Sequence, residues 1–132
     1  MVPNEIAIVS ADPYRSKLLL SSLESAGFNG RIFDSGQSAL EWLRSEEACT
    51  VVLDWKLPDV SGLAVLRTLR AEFRTAEIPV ILLGGDLSEA EKLIAFEAGA
   101  DLCLAGPVNH SVFVARVRAL LRRMRYQPGT GW

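Results

Sequence analysis

Apolar residues gather in short runs separated by longer stretches of mixed polarity. The runs are Ile6-Ala7-Ile8-Val9, Arg31-Ile32-Phe33, Val51-Val52-Leu53, Ile78-Pro79-Val80-Ile81-Leu82-Leu83 and Leu102-Cys103-Leu104. Runs this short, without polar alternation, predict strands covered on both faces. The second is the shortest in apolar content and is expected at a sheet edge. Between the runs the apolar spacing is helical. Leu19, Leu20, Leu23 and Ala26 mark a first helix, and Ala39, Leu40 and Leu43 a second. Leu66, Leu69 and Phe73 predict a third stripe, and Ala90, Leu93, Ile94 with Glu97 or Ala98 a fourth. Phe113, Val117, Leu120, Leu121 and Met124 give the clearest amphipathic pattern. Cap residues agree: Asp12-Pro13, Ser35, Ser61-Gly62, Ser88 with Glu91, and Asn109 stand at helix starts, and Gly27 and Gly99 at helix ends.

Strands alternating with helices predict a three-layer α/β fold. Right-handed crossovers favour the flavodoxin-like (βα)5 arrangement, a doubly wound parallel sheet in strand order 2-1-3-4-5. Ligands of such sheets bind at the carboxyl ends of the strands, where the order reverses. The crevice is then expected to be lined by Ser10, Ala11, Asp12, Asp54 to Lys56, Gly84-Gly85 and Ala105-Gly106.

A length of 132 residues suits one domain, expected over residues 1–126 with 127–132 as a tail or the start of a linker. The 14 Lys+Arg nearly balance the 16 Asp+Glu, which argues against bulk attraction to nucleic acid or an anionic membrane. Two cysteines, Cys49 and Cys103, are too few for a disulfide framework and read as buried reduced thiols. With no apolar run of membrane-spanning length and no signal-peptide pattern, a soluble, cytoplasmic protein is expected.

The chemistry centres on Asp54-Trp55-Lys56-Leu57-Pro58-Asp59-Val60-Ser61-Gly62, an acidic residue ending an apolar strand and followed by proline and glycine at fixed spacing. This D-x-x-x-P-x-x-x-G pattern resembles the phospho-acceptor segment of response-regulator receiver domains. Glu97-Ala98-Gly99-Ala100-Asp101 is similar to the run into strand five of that family. Ala115 to Arg123 resembles the last receiver helix of regulators with winged-helix DNA-binding outputs. The resemblance implies transfer of a phosphoryl group from a histidine kinase to Asp54. It also implies Mg²⁺ held by an acidic pair, a Thr or Ser after strand four and a Lys after strand five. Here the acidic pair falls on Ser10 and Ala11, the hydroxyl position on Gly84, the lysine position on Gly106 and an aromatic switch position on Cys103.

Phosphoryl transfer is promoted almost entirely by electrostatic stabilisation, and loss of one such contact commonly costs about 10²–10³ in rate. The expectation is therefore a non-enzymatic, atypical receiver acting mainly through protein–protein contacts, with impaired or absent Mg²⁺-dependent phosphorylation and no cofactor. Asp12 is either a helix cap or, with Asp54, a metal ligand. Lys56 is either solvated or a nearby cation. Gly84, Gly85 and Gly106 serve either tight turns or an emptied pocket. His110 is expected at the surface, and Trp55 is either an exposed contact or partly packed. The alternatives are a phospho-acceptor that recruits its charge compensation elsewhere, and a flavodoxin-like small-molecule binder.

Arg116, Arg118, Arg122, Arg123 and Arg125 make the last helix basic, which is either a solvated face or an interface. The resemblance implies a two-fold face built from helix four, strand five and helix five. Lys92, Glu97, Asp101, Arg116 and Arg123 stand at its ion-pair positions, and Leu102 and Val112 replace acidic residues there. A homodimer through this face is expected, with a histidine kinase or output domain as further partner and no direct nucleic-acid contact.

Overall fold

The computed structural model describes residues 5–125. The predicted tail at 127–132 lies outside them. In chain order the elements are β1 (Glu5–Val9), α1 (Pro13–Ser25), β2 (Asn29–Phe33), α2 (Gly36–Leu43), β3 (Thr50–Asp54), α3 (Gly62–Ala71), β4 (Val80–Gly84), α4 (Glu89–Ala98), β5 (Leu102–Ala105) and α5 (His110–Arg125). All strand pairs are parallel, in the order β2-β1-β3-β4-β5. This is the three-layer sheet the hydrophobic pattern predicts.

Side chains alternate across each strand, so an uninterrupted apolar run feeds two cores at once. Ala7, Val9, Val51, Leu53, Val80 and Leu82 pack on one face against α2, α3 and α4. Ile6, Ile8, Val52, Ile81 and Leu83 pack on the other against Leu19 and Leu23 of α1 and Phe113, Val117 and Leu120 of α5. Each fully buried side chain of this size contributes about 1.5–3 kcal/mol. Together they make β3, the middle strand, buried at every residue.

Local chemistry sets the helix ends. The Asp12 carboxylate accepts from Tyr14 and Arg15 backbone N–H, and Pro13 follows as the first helical residue. Ser88 and Glu91 form a reciprocal capping box on α4. Asn109 Oδ1 accepts from Val112 N–H at 3.0 Å to start α5.

The helical spacing misleads in two places. Phe73 is not on the inner stripe of α3 but fully exposed beyond it. The helix ends at Ala71, where Glu72 turns extended and Thr75 Oγ1 donates to the Leu69 carbonyl at 2.6 Å, and Arg70 gathers the turn behind it. Its guanidinium donates to the carbonyls of Ala76, Ile78 and Gly99 and to the Asp101 carboxylate. In α4 the inward residues are Ala95 and, half-buried, the expected Ala98, while Ala90, Leu93, Ile94 and Glu97 face outward. Leu87, just before the helix, is buried in the same core cluster as Ala95. The phase of α4 is thus set by a small residue, which the apolar count hides.

Candidate functional site

Asp54 closes β3 and is almost wholly buried, with 6% exposure. Backbone bonds fix it there: Trp55 N–H donates to the Leu83 carbonyl at 2.8 Å, and Gly62 N–H to the Trp55 carbonyl at 2.8 Å. Glycine is required at 62, since a Cβ would overlap the Asp54 carbonyl. The connecting loop is held from the other side by Asp59. Its carboxylate accepts from Gly36 N–H at 3.0 Å and Gln37 N–H at 2.8 Å, and these bonds lower its pKa. The motif spacing therefore serves to present the Asp54 side chain in one orientation.

Two protein groups meet that carboxylate. Ser10 Oγ donates to Asp54 Oδ2 at 2.6 Å, and Arg15 Nη1 approaches Oδ1 at 3.3 Å. Arg15 Nη2 also lies 3.8 Å from Asp12 Oδ2. Arg15 was not among the residues the sequence singled out. The signal was available: the Asp12 cap starts α1 beside the crevice, and Arg15 follows one turn later on the same side.

Burial raises the Asp54 pKa above the ordinary carboxylate range. The Ser10 hydrogen bond and the Arg15 charge pull it back, and the Asp12 charge adds to the rise. Removal from water outweighs what Ser10 and Arg15 return.

The remaining sequence candidates fall as follows. Ser10 is buried and Ala11 exposed. Lys56 is exposed at the rim, where Asp86 also stands, and the small crevice cavity of about 70 Å³ is lined by Asp54, half-buried Trp55 and Gly84 among others. Gly84 lines that small cavity, but the room a Cβ would take there is occupied by Leu87, whose Cγ would lie at 2.6 Å. Gly85 and Gly106 do face open space, and Gly106 has φ +80°. His110 is half-buried rather than simply at the surface, because its Nδ1 pairs with Ser22 Oγ at 2.9 Å across α1 and α5. Cys103 is half-buried against the core, and burial raises its thiol pKa.

A divalent metal fits this donor set poorly. Mg²⁺ takes hard oxygens in near-octahedral geometry. Both Asp54 oxygens already face protein donors, and Asp12 is spent on the α1 cap and Arg15. A cation would have to enter beside a guanidinium. No group of three or more His, Cys, Asp or Glu among the described residues is arranged for a metal ion.

Residues 6–118 match the response regulator receiver domain family. The chain belongs to that family. The receiver is 36% identical over 121 residues to the transcriptional regulatory protein GltR of Pseudomonas aeruginosa, covering 92% of this chain and 50% of that protein. It is 36% identical over 123 residues to CpxR of Escherichia coli K12, covering 93% and 51%. The chain thus spans about half the length of these curated relatives. The BeF3-activated DrrB receiver domain superposes with a TM-score of 0.83 at 32% identity, covering 92% of this chain and all of that one. Among the described residues no helix is long and apolar enough to cross a membrane.

On the face predicted for pairing, Glu97, Val112, Arg116 and Arg123 of the receiver are exposed and Leu102 is half-buried. Lys92 reaches Glu89 on its own helix at 3.4 Å. Asp101 is engaged within the chain, accepting from Val80 N–H at 2.8 Å and from Arg70 at 3.1 Å. Its role is to tie β4 to α3.

The raised Asp54 pKa has a stability consequence of definite sign. The folded chain holds this proton more tightly than the unfolded chain. Stability from the group is complete below the ordinary carboxylate range and is lost as pH rises through the raised folded value. Asp54→Asn is expected to melt above the wild type at pH 7, each kcal/mol relieved raising the midpoint by roughly 3–5 °C in a domain of this size. The difference should vanish under acid conditions, as followed by circular dichroism across pH. A variant that melts lower at pH 7 would contradict the assignment.

Proposed function

We propose that this chain is the receiver module of a two-component signalling pathway, with Asp54 as phosphoryl acceptor and Arg15 as the cation that compensates it. The observation that carries the reading is the 3.3 Å approach of Arg15 Nη1 to Asp54 Oδ1. An Asp54 oxygen attacks the phosphorus of a kinase phosphohistidine. The P–N bond breaks, and the departing imidazole takes a proton from solvent. The product places about two negative charges on one side chain, and Arg15 is the group in reach to meet them. Family membership supports this reading, as do relatives named as transcriptional regulators, and the chain acts here as a signalling module, not an enzyme. The partners are a histidine kinase and an output domain, in keeping with the half-length match to those relatives.

A second reading, interaction without phosphorylation, is favoured by Ser10, Ala11, Gly84 and Gly106. These positions supply none of the carboxylates, hydroxyl or lysine implied by the resemblance. Either reading includes pairing of two copies through α4, β5 and α5, where Leu93, Ile94, Phe96 and Val112 are exposed apolar residues.

Acetyl phosphate is expected to add a phosphoryl mass to the wild type at the same rate with and without Mg²⁺. Asp54→Ala should take none, and Arg15→Ala should react about 10²-fold more slowly. No adduct on the wild type under any of these conditions would reject the acceptor reading in favour of the second.

Light scattering at rising concentration is expected to show a dimer that Ile94→Asp converts to monomer. A wild-type monomer throughout would reject the pairing.

A further inference from the structure

A larger opening lies beside the Asp54 crevice, on the other side of Arg15. It is a cavity of about 520 Å³ between the start of α1, the β4–α4 loop and the β5–α5 loop. Small-molecule sites are concave, mostly apolar and furnished with a few polar groups, at about 300–1,000 Å³. This cavity has that character. Leu18 and Val108 give it apolar walls, and Tyr14, 75% exposed, offers a ring face at the rim. Gly85 and Gly106 leave both loop walls bare, since a Cβ added at either meets nothing within 4 Å.

The polar groups narrow the occupant. Arg15 and His110 line the cavity, and the guanidinium presents N–H donors. Ser22 Oγ donates its one proton to the Leu18 carbonyl at 2.9 Å, so His110 Nδ1–H donates to Ser22 Oγ and the neutral ring leaves Nε2 as an acceptor for a ligand. The Arg15 charge is already faced by Asp54 and Asp12. Asp12 also lines the cavity, so a carboxylate or phosphate ligand would meet a like charge there. An uncharged acceptor avoids that repulsion. Aromatic surface pairs well with an exposed tyrosine ring and aliphatic walls, gaining from offset stacking as well as burial.

We infer that this cavity binds a flat aromatic small molecule bearing an uncharged phenol, which stacks on Tyr14, accepts a hydrogen bond from Arg15 and donates its O–H to His110 Nε2. The inference does not rest on phosphorylation of Asp54, and its test does not involve it.

The probes are 1,8-dihydroxyanthraquinone and 2-naphthol, titrated into ¹⁵N-labelled protein, with benzoate as the charged comparison. Saturable amide shifts are expected around Tyr14, Leu18, Gly85, Val108 and His110, with dissociation constants between about 10 µM and 1 mM and benzoate the weakest. Gly85→Leu fills the cavity and should weaken binding at least about tenfold. Tyr14→Ala, which alters an exposed ring and leaves the core intact, should weaken it by about three- to tenfold. The inference is overturned by shifts centred elsewhere, by no saturable shift with either probe, or by benzoate binding more tightly. Unchanged affinity in a folded Gly85→Leu or Tyr14→Ala would overturn it equally.

Discussion

A carboxylate at the end of a fully buried strand must find its counter-charge inside the protein. Taking an ionised group out of water costs several kcal/mol unless donors replace the lost hydration. At Asp54 the replacement consists of one hydroxyl, from Ser10, and one guanidinium, from Arg15. Ser10 comes from the turn between β1 and α1, and Arg15 from the first turn of α1 that follows it. The parallel register of β1 and β3 brings that turn to the carboxyl end of β3. The two-core sheet thereby determines which residues can act on Asp54, and the Asp12 cap determines where α1 begins and so where Arg15 stands.

Compensation remains incomplete, since burial still raises the Asp54 pKa. Carboxylates perturbed by burial recur at functional sites, and here burial is the largest cause of the shift. Arg15 is half-exposed and belongs to both the crevice and the larger cavity beside it, so it is the side chain through which the two openings meet.

The sheet order, the placement of Asp54 and the helix starts were legible in the chain because each rests on local chemistry: apolar runs, cap residues, and a proline and glycine after an acidic residue. The phase of α4 was not, because the small Ala95 faces inward while the larger Leu93 and Ile94 are exposed, the reverse of what apolar size suggests. Phe73 fitted the stripe of α3 on spacing alone, but the helix ends first at an extended Glu72, and the Arg70 hub behind that end joins residues about 30 positions apart. The crevice carried the same limitation. Missing carboxylates at Ser10 and Ala11 stand out one position at a time, whereas Arg15 emerges only when the Asp12 cap, the helical turn after it and the crevice are read together.

Carboxyl-carbon NMR titration of Asp54, in the wild type and in Arg15→Gln, measures this compensation directly. The wild-type midpoint should lie above the ordinary carboxylate range, and loss of the guanidinium should move it higher still. The same midpoint in both proteins would show that Arg15 does not compensate Asp54.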